Sequence, residues 1–159
     1  MRTRSIVMSA ILISALVLAL AVIAFAADPF VGTWKMNPAK SMFDGSISLK
    51  SFVSTIEAQK NGVKIVQKLV SADGKTTQRS WTAEYDGKDY PIVGDPDADT
   101  YSCTRPNSNT TKYMFKKSGN EMHGGLTVVS KDGKTSTIAG GGKDADGKAF
   151  TYTILMEKQ

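Results

Sequence analysis

The chain has 159 residues, with 20 Lys and Arg against 15 Asp and Glu, a net charge of +5, 41% hydrophobic and 22% charged residues. That length fits one domain rather than two. The composition excludes an intrinsically disordered chain, and a mild positive charge without Lys/Arg clusters argues against a nucleic-acid partner.

Residues 5–27 carry no charge at all. Arg2 and Arg4 precede an apolar run of 20 residues from Ile6 to Phe25, and small residues stand at Ala24 and Ala26. A positive end, an apolar stretch and an A-x-A site are the marks of a secretory signal peptide, with cleavage expected after Ala26. Residues 1–26 are therefore expected to be a helical leader, and residues 27–159 the mature domain. Removing that leader leaves 133 residues and lowers the net charge from +5 to +3. The expected location is periplasmic or secreted. The alternative is an uncleaved anchor, because the apolar run is long enough to span a bilayer. In that case the leader is the only membrane contact. Cys103 is the only cysteine, so the leader is not a lipid-attachment signal. No intramolecular disulfide can form either, and stability must come from an apolar core.

The rest of the chain is punctuated by turn signals. Asp44-Gly45, Asn61-Gly62, Asp73-Gly74, Asp86-Gly87, Asp132-Gly133 and Asp146-Gly147 recur, with Gly94-Asp95, Asn107-Ser108-Asn109 and Ser118-Gly119-Asn120 between them. Such pairs tolerate the positive φ angles of tight hairpins. Pro38 to Phe43 suits a single helical turn. Between the turns, β-branched and aromatic residues alternate. Thr77, Arg79, Trp81, Ala83 and Tyr85 share one face, and so do Phe150, Tyr152, Ile154 and Met156. Period two means strands with one buried face.

This reading predicts strands over 31–36, 47–59, 63–71, 76–85, 88–93, 100–105, 110–117, 121–130, 134–140 and 148–158. About ten antiparallel strands on short hairpins leave exposed edges unless the sheet closes. The expected fold is therefore all-β, a single up-and-down barrel. A two-sheet sandwich is the alternative.

The opening strand Phe30-Val31-Gly32-Thr33-Trp34-Lys35-Met36 resembles that of the calycins, the lipocalin and fatty-acid-binding-protein superfamily. The ending Tyr152-Thr153-Ile154-Leu155-Met156-Glu157-Lys158 is similar to the closing strand of fatty-acid-binding proteins. Three segments, 86–91, 94–100 and 130–134, are similar to small exported bacterial lipocalin-like proteins of unassigned function, and this likeness covers nearly all of 28–159. The resemblance implies a barrel with Trp34 plugging its closed end, where Lys158 can stack on the ring. It also implies binding of a small hydrophobic or amphipathic ligand, with a carboxylate held by an inward arginine. Only some ten residues separate Met36 from Ile47, too few for the helical lid of fatty-acid-binding proteins. The glycines of haem-binding nitrobindins are replaced by Met36 and Pro38, and no cofactor is expected.

Arg79 lies on the face of Trp81 and Tyr85, and Arg105 on that of Tyr101 and Cys103. Pointing inward, each needs an anionic or hydrogen-bonding partner. At strand ends, they reach solvent instead. The candidate ligand-binding residues are Arg79, Trp81, Tyr85, Tyr101, Arg105, Tyr113, Phe115 and Tyr152, with Phe150 beside them. The same side chains would equally fill a solid core, because small barrels can pack tight. A packed barrel would serve instead as a protein-interaction or inhibitor module. Cys103 is read as a buried, inert thiol. Asp95, Asp97 and Asp99 read as a solvated turn, since Thr100 and Pro106 stand where a calcium loop needs Gly and Glu. Gly140-Gly141-Gly142 reads as a strand kink or bulge. His123 is the only histidine and no Gly-x-Ser-x-Gly elbow occurs, so neither catalysis nor a metal is expected. The protein is expected to be a monomer.

Overall fold

The computed structural model describes residues 28–144 and 146–159, and the expected leader lies outside them. The elements are β1 (Gly32–Met36), a 3-10 turn (Pro38–Lys40), β2 (Met42–Asp44), β3 (Leu49–Gln59), β4 (Gly62–Ser71), β5 (Thr76–Glu84), β6 (Tyr90–Pro91), β7 (Thr100–Asn107), β8 (Thr110–Lys117), β9 (Asn120–Val129), β10 (Thr135–Lys143) and β11 (Ala149–Lys158). They form one sheet in the order β5-β4-β3-β1-β11-β10-β9-β8-β7-β6, with β2 added alongside β11. Every pairing is antiparallel.

The first strand joins the last. Trp34 stands opposite Lys158 on one side and Ser54 on the other. The sheet thereby curls into an up-and-down barrel. One seam, between β5 and β7, carries only the isolated bridges Ser80–Val93 and Asp86–Thr104. The barrel is therefore nearly closed, as the hairpin series required.

Three local differences from the sequence reading have simple causes. The strand expected over 88–93 shrinks to Tyr90–Pro91. Pro91 lacks the N–H that a ladder needs, and the chain then turns across the barrel end. The expected strand 47–59 starts at Leu49, and a separate short strand, β2, precedes it. The Gly140–Gly142 run makes no kink, because β10 pairs in unbroken register with β9 and β11 through all three residues.

The alternating faces point as read. Trp81 and Ala83 are buried, as are Phe150, Tyr152, Ile154 and Met156. The interior does not collapse into one mass. One buried cluster gathers Trp34, Phe52, Phe150 and Ile154, and a second gathers Val63, Trp81, Tyr101 and Phe115. Ile56 and Ile138 touch both. Cys103 is 2% exposed, its thiol donates to Glu84 O at 3.4 Å, and burial raises its pKa. It is the inert thiol that was expected.

Candidate functional site

Between the two clusters lies a cavity of about 890 Å³. The barrel is hollow, so the packed alternative loses its structural premise. Trp34 and Phe30 line the cavity at one end, where the Trp34 indole N–H donates to Phe30 O at 2.8 Å. Lys158 Nζ sits 5.0 Å from the Trp34 ring centre. This is the plugged end that the opening strand implied. At the other end the lining residues come from connecting segments, Ser46–Ser48, Ala72, Asp73, Lys75, Asp95–Asp97 and Asp144, and from the strand ends Lys117 and Lys143. That end is the mouth.

Seven of the eight candidate residues line this space: Arg79, Trp81, Tyr85, Tyr101, Tyr113, Phe115 and Tyr152. Four strands, β5, β7, β8 and β11, deliver six of them, and Tyr85 follows β5 directly. Alternation on each strand aims its ring inward. The aromatic wall is continuous. Trp81 meets Tyr101 at 4.8 Å and Phe115 at 5.5 Å between ring centres, and Tyr101 meets Phe115 at 5.1 Å. Burial raises the pKa of Tyr101 and, to about 12, that of Tyr85, where Asp28 adds to the effect.

Arg105 is elsewhere. It grips Asp28 with two hydrogen bonds of 2.7 and 3.0 Å, and its guanidinium lies over Phe30 and Tyr85 at 5.1 and 5.0 Å. It clamps the segment before β1 to the plugged end and does not reach the cavity lining.

Arg79 is inward, but its charge is already answered. Its Nη1 meets Asp95 Oδ2 at 2.5 Å and its Nε donates to Gln67 Oε1 at 2.8 Å. The two charged side chains are only 12% and 4% exposed. The guanidinium also lies 4.4 Å from the Phe115 ring centre. Neither expectation for this arginine, a free anion receptor or a solvent-reaching stem, describes it. The reading of Asp95 as part of a solvated turn is likewise corrected. Gly94, at φ +85°, lets the chain turn there, and a Cβ on it would strike Gln78 O of β5. The loop is thereby pressed against β5, with Asp95 directed inside. Asp97 N–H binds Asp95 Oδ1, whereas Asp99 accepts from Ser118 N–H. The three aspartates do not converge, and no metal-ligand cluster forms among the described residues.

His123 is the residue that the sequence reading undervalued. It lines the cavity, stacks 4.5 Å from Phe115, and places Nδ1 3.0 Å from Tyr152 Oη. Tyr152 Oη is in turn 2.9 Å from Tyr113 Oη. Burial, and then the Arg79 charge, push the His123 pKa down to about 4. It is a neutral imidazole at pH 7. Burial raises both tyrosines, and the neighbouring Tyr152 adds to the rise at Tyr113. The three groups form a short neutral hydrogen-bonded chain. It joins the two apolar clusters, since Tyr113 belongs to one and Tyr152 to the other. The glycines opposite make room for it. A Cβ on Gly140 would stand 2.8 Å from Tyr152 Oη and 2.9 Å from Tyr113 Oη.

A signal for His123 was present, since it shares its strand face with Thr127, and both line the cavity. The intervening Gly125 blanked the apolar alternation. Asp95 gave no local signal, because its partner comes from another element.

No protein-family model matches the chain, and no curated protein matches it. Several solved structures share its course. EF1p2_mFAP2b bound to DFHBI is 12% identical, covering 84% of this chain and 97% of that one, at a TM-score of 0.47. Zebrafish ileal bile acid-binding protein complexed with cholic acid is 10% identical, covering 82% and 99%, at 0.48. The siderocalin Ex-FABP is 10% identical, covering 82% and 74%, at 0.37.

Proposed function

We propose that this protein is an exported β-barrel that binds one small apolar or amphipathic molecule inside it, without chemical conversion. The observation that carries the reading is the cavity of about 890 Å³ walled by aromatic side chains. Ligand sites in proteins run to roughly 300–1,000 Å³, mostly apolar with a few convergent polar groups. The aromatic wall supplies the apolar part, and the His123–Tyr152–Tyr113 chain supplies the polar part. Export rests on the leader pattern, Arg2 and Arg4 before the apolar run and Ala24-Phe25-Ala26 after it.

Titration of the mature protein with N-phenyl-1-naphthylamine, an uncharged dye that brightens in apolar surroundings, tests binding. We expect saturable uptake at one dye per chain, lost when Ile138→Trp fills the space between the clusters. No uptake by the folded protein would end this reading. Mass spectrometry of the exported protein tests the leader, with a new N-terminus at Ala27 expected.

A further inference from the structure

Trp81 is 4% exposed and lines the cavity. Its indole N–H has no hydrogen-bond partner, and among the described residues it is the only buried side-chain nitrogen or oxygen in that state. The other tryptophan, Trp34, has its N–H satisfied by Phe30 O. A buried donor left unpaired is costly, so native structures seldom keep one without a use. Trp81 sits in the aromatic wall, against Tyr101 and Phe115, and its ring lines the cavity.

The charges around the cavity are balanced. Four aspartates and four basic side chains line it. The deepest of these, Arg79 and Asp95, neutralise each other. His123 is uncharged at neutral pH. An anion carried in as far as the aromatic wall would meet, among the described residues, only the already paired Arg79, because Lys75, Lys117 and Lys143 stand at the mouth, and desolvating it there would go uncompensated.

Resting on the proposed binding function, we infer that the occupant is an uncharged molecule bearing a hydrogen-bond acceptor, a carbonyl or ether oxygen, that accepts from Trp81 Nε1–H. The carboxylate implied by the family resemblance is thereby replaced with a neutral acceptor. The reason is that Asp95 of the protein already occupies Arg79.

Three probes of nearly equal shape test this: 2-acetylnaphthalene (neutral acceptor), 2-isopropylnaphthalene (no acceptor) and 2-naphthoate (anion). Each is scored by displacement of N-phenyl-1-naphthylamine and by the two indole N–H signals in proton–nitrogen NMR. We expect the ketone to bind at least fivefold more tightly than either relative. It should move the Trp81 signal and leave that of Trp34 in place. Trp81→Phe should erase the difference, so that ketone and hydrocarbon bind the variant equally. If Trp81→Phe does not fold, the indole signals of the unmodified protein decide. Tightest binding by naphthoate, a ketone that leaves the Trp81 signal unmoved, or a ketone advantage that survives in Trp81→Phe would overturn the inference while leaving the binding function standing. Failure of the dye and all three probes to bind would overturn both.

Discussion

His123 shows how much one residue's surroundings decide. In water its imidazole would be half protonated near pH 6.5, whereas in the barrel burial and Arg79 lower that point to about 4. The unfolded chain therefore takes up the proton first as pH falls. The stability tied to the neutral ring is complete above pH 6.5 and drains away between about 6.5 and 4. We expect the protein to lose about 2–3 kcal/mol of this contribution between pH 7 and 4.5. His123→Gln should lose correspondingly less over the same interval, as measured by urea unfolding at each pH. Equal losses in the two proteins would show that the ring is not held neutral. Gly140 makes the complementary point about space. A Cβ there would stand 2.5 Å from Gly124 O as well as crowding the two tyrosine hydroxyls. Gly140→Ala should cost about 1–3 kcal/mol as an overpacking change, seen in the denaturation midpoint.

At the scale of elements, the segment from Ile92 to Asp99 has the most to do with the site. It leaves β6 after only two residues, touches β5 at the Ser80–Val93 bridge and returns to the sheet where Ile92 N–H binds Asp99 O. In between it inserts Asp95 against Arg79. Removing one partner of a buried pair strands the other charge. Asp95→Asn should therefore destabilise the barrel by about 3 kcal/mol. It should also leave Arg79 free, so that 2-naphthoate, a poor ligand for the unmodified protein, binds more tightly by tenfold or more. The exposed pair of Lys116 and Asp89 is a useful contrast, with side chains 23% and 42% open to solvent. Asp89→Asn should change stability by about 0.5 kcal/mol or less. Chemical denaturation of the two variants side by side checks the difference.

For the whole molecule, a near-closed barrel encloses a cavity of about 890 Å³, and such a space forgoes packing that a ligand can restore. A ligand at a hundred times its Kd should add about 2.7 kcal/mol to folding stability. In a domain of this size that corresponds to roughly 10 °C in Tm. Differential scanning calorimetry with the neutral naphthyl ketone measures it, and no shift at saturating concentration would contradict occupancy of the interior.

Much of this architecture was legible in the chain. The turn pairs and the two-residue alternation determine strands, their inward faces and a sheet long enough to need closing, because these follow from local backbone preferences and from which side chains avoid water. The assignment of Trp34 to the plugged end, with Lys158 against it, came instead from the resemblance of the opening strand. Small deviations arose where local rules compete. Lys60 and Asn61, rather than Asn61 and Gly62, make the turn between β3 and β4, since Gly62 pairs with Gln59.

What only the tertiary structure decided is the chemistry of the middle. Whether the interior is hollow depends on the circumference of the closed sheet, and room for the Tyr113 and Tyr152 hydroxyls depends on Gly140 across from them, neither of which a single strand reveals. The fate of Arg79 depends on an aspartate 16 residues away on a loop outside the sheet. The unmet hydrogen-bond donor of Trp81 exists only because the wall closes around it. By itself the sequence determined a barrel with a possible lumen. The folded chain decided that the lumen is open and neutral, because pairing among buried polar groups is settled by distances across the barrel and not by neighbours along the chain.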